Sequence, residues 1–225
     1  MKNIFVVIPA FNEERKIERV LQGLKEHGYS NIIVVDDGSS DNTSKIAKKA
    51  GAVVLRHVIN RGQGAALKTG IDYALEEGAD IIVTFDADGQ HNPADLAALI
   101  KPVKSGEADI ALGSRFIKSD SNTPFVRKLF LKGGAILFRV LYGIKLTDSH
   151  NGLRAMNRKA ASSIEITCDD MAHASEIVEE VAKHKLRYKE VPVTITYTDY
   201  SLSKGQSTLN SIRILSRMLL NKLLK

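Results

Sequence analysis

From residue 4 to residue 114, short continuous apolar runs alternate with stretches of helical period. The runs are IFVVIP (4–9), NIIVVD (31–36), AVVLRH (52–57), DIIVTF (80–85) and DIALGS (109–114). Most are apolar at successive positions, as strands buried on both faces should be. Helices are predicted near 13–27, 42–50, 63–77 and 94–104. Asp41 or Thr43 can cap the second, and Pro93 suits the first turn of the fourth. This alternation predicts an α/β fold: a doubly wound, mostly parallel sheet flanked by helices. Beyond residue 115 the pattern changes. FVRKLFLKGGAILFRVLYGI (125–144) is helical, apolar and basic, and LTDSHNGLRAMNRKA follows. A helix near 173–184, a strand YKEVPVTITY (188–197) and STLNSIRILSRMLLNKLLK close the chain. The expected organisation is one domain over 1–200 with a C-terminal extension over 201–225.

Ligands of such sheets bind beyond the carboxyl ends of the strands. PAFNEE follows the first strand, DDGSSDNT the second, DADGQH the fourth and GSRF the fifth. All four polar motifs therefore converge on one edge.

Asp86 and Asp88 sit two apart at the end of a buried run, with Gly89 permitting the bend. Uncompensated, two such carboxylates repel each other. Hard oxygen ligands suit Mg²⁺ or Mn²⁺, and Gln90 can add an amide oxygen. A bare D-x-D is more often a capped turn; the position beyond a buried strand, with three neighbouring polar loops, favours the metal. Asp36 or Asp37 can accept hydrogen bonds from a ribose or a base, or else shape the turn. Phe11 can face a base, and Glu13 can bond a ribose hydroxyl or simply decorate a helix start. NRGQGAALKTG (60–70) is glycine-rich ahead of a helix, so backbone can approach a nucleotide there. It is not a Walker A loop, and no G-x-G-x-x-G follows strand one. His91 and His150 lie within the motifs and suit supporting polar contacts.

The chain of 225 residues carries a net charge of +6 and is 44% hydrophobic. The positive balance points to nucleic acid, anionic lipid or a phosphorylated substrate. No aromatic platform, basic recognition helix or zinc-finger spacing supports nucleic acid. The single cysteine, Cys168, excludes an internal disulfide and suits a reducing compartment. The start does not read as a signal peptide, and no apolar stretch approaches the ~20 residues of a membrane span.

VVIPAFNEE, VVDDGSSDNT, NRGQGAALKTG, FDADGQH and GSRF, in that order, resemble the inverting family-2 glycosyltransferases of the GT-A fold. The nearest branch is similar to dolichol-phosphate mannose synthase and bacterial polyprenyl-phosphate glycosyltransferases. The resemblance covers about residues 3–197. It implies a hexosyltransferase with an NDP-sugar donor (UDP- or GDP-linked) and Mg²⁺ or Mn²⁺ held by Asp86, Asp88 and Gln90. It places Pro9, Ala10, Phe11, Glu13, Asp36, Asp37, Gly62 and Asp86 at the nucleotide, with Asp37 reading the base. Arg115 would meet phosphate. TDSHNGLRAM matches an acceptor-side segment through Asp148, Gly152 and Arg154; Glu176 and KEVPV match a following helix and strand. The family's R-x-x-G-x-S-K is replaced by YTDYSLSKGQST, where Lys204, or Lys189, stands in for the phosphate-clamping arginine without its bidentate fork.

Two acceptors remain open. A polyprenyl (dolichyl or undecaprenyl) phosphate is already ionised near neutral pH and needs no strong base. A saccharide or glycolipid hydroxyl needs one, with Asp148 and Glu176 as candidates. A non-catalytic nucleotide-sugar binding module is disfavoured by the intact Asp86/Asp88 pair and Arg115. In 209–225, Leu209, Ile212, Leu215, Leu219 and Leu223 share one helical side, with basic residues opposite or bordering. That pattern suits an anionic membrane surface or a packed partner helix. The expected setting is cytoplasmic and peripheral at the inner membrane face, docked directly or through a small membrane partner protein. A homo-oligomer is compatible with this arrangement.

Overall fold

A computed structural model describes residues 3–117, 133, 139–148 and 151–196. Its strands are β1 (Ile4–Ala10), β2 (Ile32–Asp36), β3 (Val53–Arg56), β4 (Ile81–Thr84), β5 (Ile110–Ser114), β6 (Arg154–Asn157) and β7 (Tyr188–Pro192). Its helices are α1 (Ile17–Glu26), α2 (Thr43–Lys49), α3 (Gln63–Glu76), α4 (Leu96–Lys104), α5 (Arg158–Ser163) and α6 (His173–Lys183). The sheet order is β3-β2-β1-β4-β6-β5-β7. Only β6 runs antiparallel to its neighbours, β4 and β5. The mostly parallel, doubly wound sheet expected from the sequence is present.

Successive strand residues feed opposite apolar layers. Val7, Ile33, Val35, Ile82 and Met156 pack with Leu67 and Ile71 of α3 and Ile177 and Val181 of α6. Val6, Ile8, Val34, Ile81 and Val83 pack with Leu21 and Leu24 of α1 and Leu96 and Leu99 of α4. Truncating any of the leucines, isoleucines or Met156 among these buried side chains to Ala should cost about 2–5 kcal/mol. Helix α3 lies close on the sheet because Gly70 has no side chain; a Cβ there would stand 2.4 Å from Val7 Cγ1.

The expected element boundaries shift by a few residues at most in the first half. Pro93 opens a 3₁₀ turn (Pro93–Asp95) ahead of α4, and the Asn92 side chain accepts from Ala94 N at 3.1 Å. Asp41 Oδ1 accepts from Thr43 N at 2.9 Å at the start of α2. The second half departs further. RAMN forms β6, which the sequence pattern does not announce, and Asn157 caps α5 by accepting from Ala160 N at 2.8 Å. The last strand ends at Pro192, and only Ile195 continues as an isolated bridge to His91. The helix expected over 125–144 lies largely outside the described residues, as do His150, Lys204 and the 201–225 extension. Among the described residues no helix is long and apolar enough to cross a membrane.

Candidate active site

The carboxyl ends of β1 and β2 are stitched together by short polar contacts. Pro9 and Ala10 end β1 opposite Val35 and Asp36, and Phe11 beyond them is 43% exposed. Asn12 N donates to Ser39 Oγ at 2.9 Å, and the buried Glu13 donates its N–H to Thr43 Oγ1 at 2.8 Å. Asp36 is fully buried; it accepts from Ser39 N at 2.9 Å and from the Ser44 hydroxyl, with Arg56 Nε at 3.5 Å. Asp37 accepts from Arg61 N at 3.0 Å and Gly62 N at 2.7 Å. His57 Nδ1 lies 2.7 Å from Asp37 Oδ1, and its other ring nitrogen lies 3.0 Å from Thr69 Oγ1. Both oxygens of Asp37 therefore fix the glycine-rich loop.

That loop meets a strap of backbone that the sequence did not foreshadow. Gly64 N and Ala65 N, at the amino terminus of α3, donate to the Asp169 carbonyl at 2.8 and 3.3 Å. Gly62 takes φ +113°, and a Cβ there would stand 2.3 Å from the same carbonyl oxygen. Glu176 of α6 secures the strap: its carboxylate accepts from Thr167 N and Cys168 N, each at 3.0 Å, and from the Thr167 hydroxyl.

Asp86 and Asp88 lie just beyond β4. Asp86 Oδ1 accepts from Gln63 Nε2 at 3.0 Å, and Oδ2 lies 2.8 Å from His91 Nε2. Asp88 accepts from Gln90 N at 3.0 Å and Gln90 Nε2 at 2.6 Å, so Gln90 presents its NH₂ to this carboxylate. Burial opposes the Asp86 charge. The hydrogen bond and charge of His91, with the charges of Arg154 and His173, outweigh it and hold the pKa below the usual carboxylate value. Burial and then the Asp86 charge push the Asp88 pKa up. A divalent cation reverses that repulsion, and the two hard carboxylates fit Mg²⁺ or Mn²⁺. Among the described residues no group of three His, Cys, Asp or Glu converges as a metal site. Such a cation would draw further oxygens from a ligand.

On the other side of β4 the site is built around an ion pair. Arg115, just past β5, donates from Nε to Asp148 Oδ2 at 2.6 Å and from its backbone N to the same oxygen at 3.2 Å. The Asp148 side chain is 0% exposed and that of Arg115 is 7% exposed. Glu190 of β7 accepts from Thr147 N at 2.8 Å, Thr147 Oγ1 at 2.9 Å and Asp148 N at 3.1 Å. Arg154 is buried on β6, between β4 and β5. Lys189 pairs with Glu107 at 2.5 Å, at the opposite edge of the sheet, so it does not replace the missing arginine. Sequence reasoning missed Gln63, His57, His173 and Glu190. The first two sit in or beside the glycine-rich motif, and Glu190 sits within KEVPV; nothing local marks His173.

A seven-stranded, mostly parallel sheet with paired aspartates at the end of its fourth strand has the architecture of GT-A glycosyltransferases. Glucosyl-3-phosphoglycerate synthase of Mycobacterium tuberculosis, solved with Mg²⁺ and uridine diphosphate, shares it with a TM-score of 0.75. That match covers 97% of this chain and 78% of the other at 20% identity. The chain belongs to glycosyl transferase family 2, whose profile matches residues 5–164. It is 45% identical to an uncharacterized protein of Methanocaldococcus jannaschii, covering 98% of this chain and 92% of the relative. It is 37% identical to the UDP-N-acetylglucosamine–dolichyl-phosphate N-acetylglucosaminyltransferase of Methanococcus voltae, over 99% of this chain and 97% of that one. The polyprenol monophosphomannose synthase of Mycolicibacterium smegmatis is 30% identical over 88% and 79%.

Proposed function

We propose that this glycosyltransferase moves a sugar from a nucleoside-diphosphate sugar to a polyprenyl phosphate at the membrane surface, with inversion and with Mg²⁺ or Mn²⁺. The observation that carries the choice of acceptor is the state of the two candidate bases. Asp148 is sealed against Arg115, and Glu176 is spent on the backbone of 167–168. Neither is placed to take a hydroxyl proton. An acceptor that arrives as an anion needs no such base. It needs cations, and Arg115 is one. The names of the Methanococcus voltae and Mycolicibacterium smegmatis relatives support the same acceptor class.

In this mechanism Phe11 and Glu13 border the nucleoside, while Asp36 and Asp37 hold the loops around it. Asp86, kept in place by Gln63 and His91, and Asp88, kept by Gln90, hold the cation. When bound, that cation supplies positive charge to the departing nucleoside diphosphate. Arg115, aimed by Asp148, neutralises the acceptor phosphate, whose oxygen attacks the anomeric carbon opposite the leaving group. The leucine-and-basic pattern of 209–225 supports docking at an anionic cytoplasmic membrane face.

The test is transfer of labelled sugar from UDP-N-acetylglucosamine or GDP-mannose, with Mn²⁺, to dolichyl phosphate, undecaprenyl phosphate or free saccharides. Organic-phase label with a phosphate acceptor is expected. Label found only on water-soluble saccharide would replace this reading with the hydroxyl-acceptor one. Salt-sensitive sedimentation with anionic vesicles is expected of the full chain.

A further inference from the structure

The apolar layer beneath α3 and α6 ends in a cation. Met156 of β6 lies in that layer with its sheet neighbours Ile82 and Ile110. Arg154, two residues away on the same face, pairs in register with Thr84 and Leu112. It is the next step toward the carboxyl edge. Its side chain heads the largest fully buried ones of the described residues, and the residue is 2% exposed. Its Nη1 has no hydrogen-bond partner. Burial pushes its pKa down to about 10, with the charges of Asp86 and Asp148 opposing, so it remains a cation at neutral pH. The chain before it is pressed on the aspartate: a Cβ at Gly152 would stand 2.4 Å from Asp86 Oδ2. The oxygens of Asp86 are held by the neutral Gln63 amide and by His91. A buried guanidinium with an idle N–H lowers stability. What the site gains from it is charge.

We propose that Arg154 is a positioning residue that serves as the resident counter-cation of the site, balancing Asp86 and Asp148 from below and making metal uptake by Asp86 and Asp88 conditional on a nucleoside diphosphate. The inference rests on the glycosyltransferase reading and deepens it. A divalent cation approaching the apo site meets two carboxylates but also the fixed charge of Arg154. Its affinity is correspondingly reduced. A diphosphate brings the missing negative charge, so metal and nucleotide enter together. Arg154 itself stays beneath the sheet edge and does not meet the acceptor phosphate, in contrast to the role its place in NGLRAM implies.

The experiment is calorimetry of Mn²⁺ alone, and of Mn²⁺ with UDP or GDP, on the full chain and its Arg154→Gln and Arg154→Lys variants. Removing the charge should tighten binding of Mn²⁺ alone about tenfold, an effect of the size expected for one nearby charge partly screened by protein. With UDP or GDP bound, whose diphosphate already offsets Arg154, the gain should be smaller, so the nucleotide enhancement should shrink. Arg154→Lys should match the unaltered chain. A merely structural arginine predicts weaker metal binding on substitution, or no change. Either result for a folded Arg154→Gln protein, checked by far-UV circular dichroism, overturns the proposal. If Arg154→Gln does not fold, Asp148→Asn carries the test with the opposite sign. With that carboxylate neutral, Arg154 bears more fully on Asp86, and affinity for Mn²⁺ alone should fall about threefold. Unchanged or higher affinity overturns the idea. These isotherms need no acceptor, so they stand or fall separately from the sugar-transfer assay.

Discussion

The two halves of the site are built by different means. On the β1–β4 side, carboxylates are held mainly by amides and imidazoles: Asp37 by two backbone amides and His57, Asp88 by Gln90, Asp86 by Gln63 and His91. On the β5–β7 side, Asp148 is held against Arg115, and Glu190 braces the backbone that carries it. The first half keeps Asp86 and Asp88 close together, offset by the buried Arg154 charge beneath Asp86, a pair that a metal could use. The second half delivers a cation whose direction is already set. Under the proposed function, a donor that enters with a metal and an acceptor that is itself an anion would ask for this asymmetry.

The largest expected effect lies at that pair of carboxylates. Asp88→Asn should lower kcat by about a thousandfold, in the range seen when a group stabilising transition-state charge is removed. The fold should survive, because the Asp88 partners are the adjacent Gln90 groups rather than distant elements. Steady-state kinetics with a circular dichroism control would check this. A loss of folding comparable to the loss of rate would erase the distinction between the halves.

Beneath both halves lies His173, the first residue of α6. Burial, and then the charge of Arg154, lower its pKa to about 4. The sign follows from linkage. Between the unfolded value near 6.5 and about 4, the unfolded chain binds a proton that the folded chain refuses. Stability therefore falls as pH drops through that window and stops falling from this source below it. His173→Gln should flatten the curve there, by up to about 3 kcal/mol at pH 4 relative to pH 7. Urea denaturation at several pH values would show it. An unchanged slope would mean that the floor is wetter than the buried His173 implies.

Arg115→Lys tests the other half directly. Lysine keeps the charge but not the planar fork that sets the Nε contact to Asp148 and the direction of the cation. Activity should fall about thirtyfold, roughly the worth of one charge-assisted hydrogen bond. The loss should appear chiefly with the acceptor. An equal rise in KM for the nucleotide sugar would show that Arg115 serves the donor instead.

The same contrast explains what the sequence discloses. Strands β1, β2, β4 and β5 are continuous apolar runs, each followed by its own polar motif, so Asp86, Asp88 and their placement at one sheet edge are legible locally. His91 lies in the same motif as the carboxylate it supports. The β5–β7 half depends on partners far apart in the chain: Arg115 with Asp148, 33 residues on, and Thr147 with Glu190, 43 residues on. No local pattern encodes such pairs. Strand β6 is also silent, since four residues beginning with arginine and holding no β-branched side chain do not read as a strand. Its antiparallel insertion is nevertheless what puts Arg154 under the site. The α3 amino terminus looks from its glycines like a nucleotide contact; its amides instead meet Asp169, because the strap returns from a hundred residues later.

The smallest expected effect is at Glu190, and it separates the halves most cleanly. Its carboxylate accepts from Thr147 N, Thr147 Oγ1 and Asp148 N, tying β7 to the segment that aims Arg115. Glu190→Gln keeps one carbonyl acceptor but turns an NH₂ group toward groups that are themselves donors. About 1 kcal/mol of stability should be lost, the usual worth of a partly replaced hydrogen bond. Asp148 would then hold Arg115 less firmly. The acceptor KM should rise about threefold, corresponding to less than 1 kcal/mol, while the nucleotide-sugar KM and the Mn²⁺ requirement stay as they were. Nothing in the Asp37 or Asp86 hydrogen-bond sets reaches Glu190. A donor KM that moved in step with the acceptor KM would show that the two halves are mechanically one, and that the sealed Arg115–Asp148 pair transmits to Asp86 and Asp88 through the Arg154 floor rather than standing apart from them.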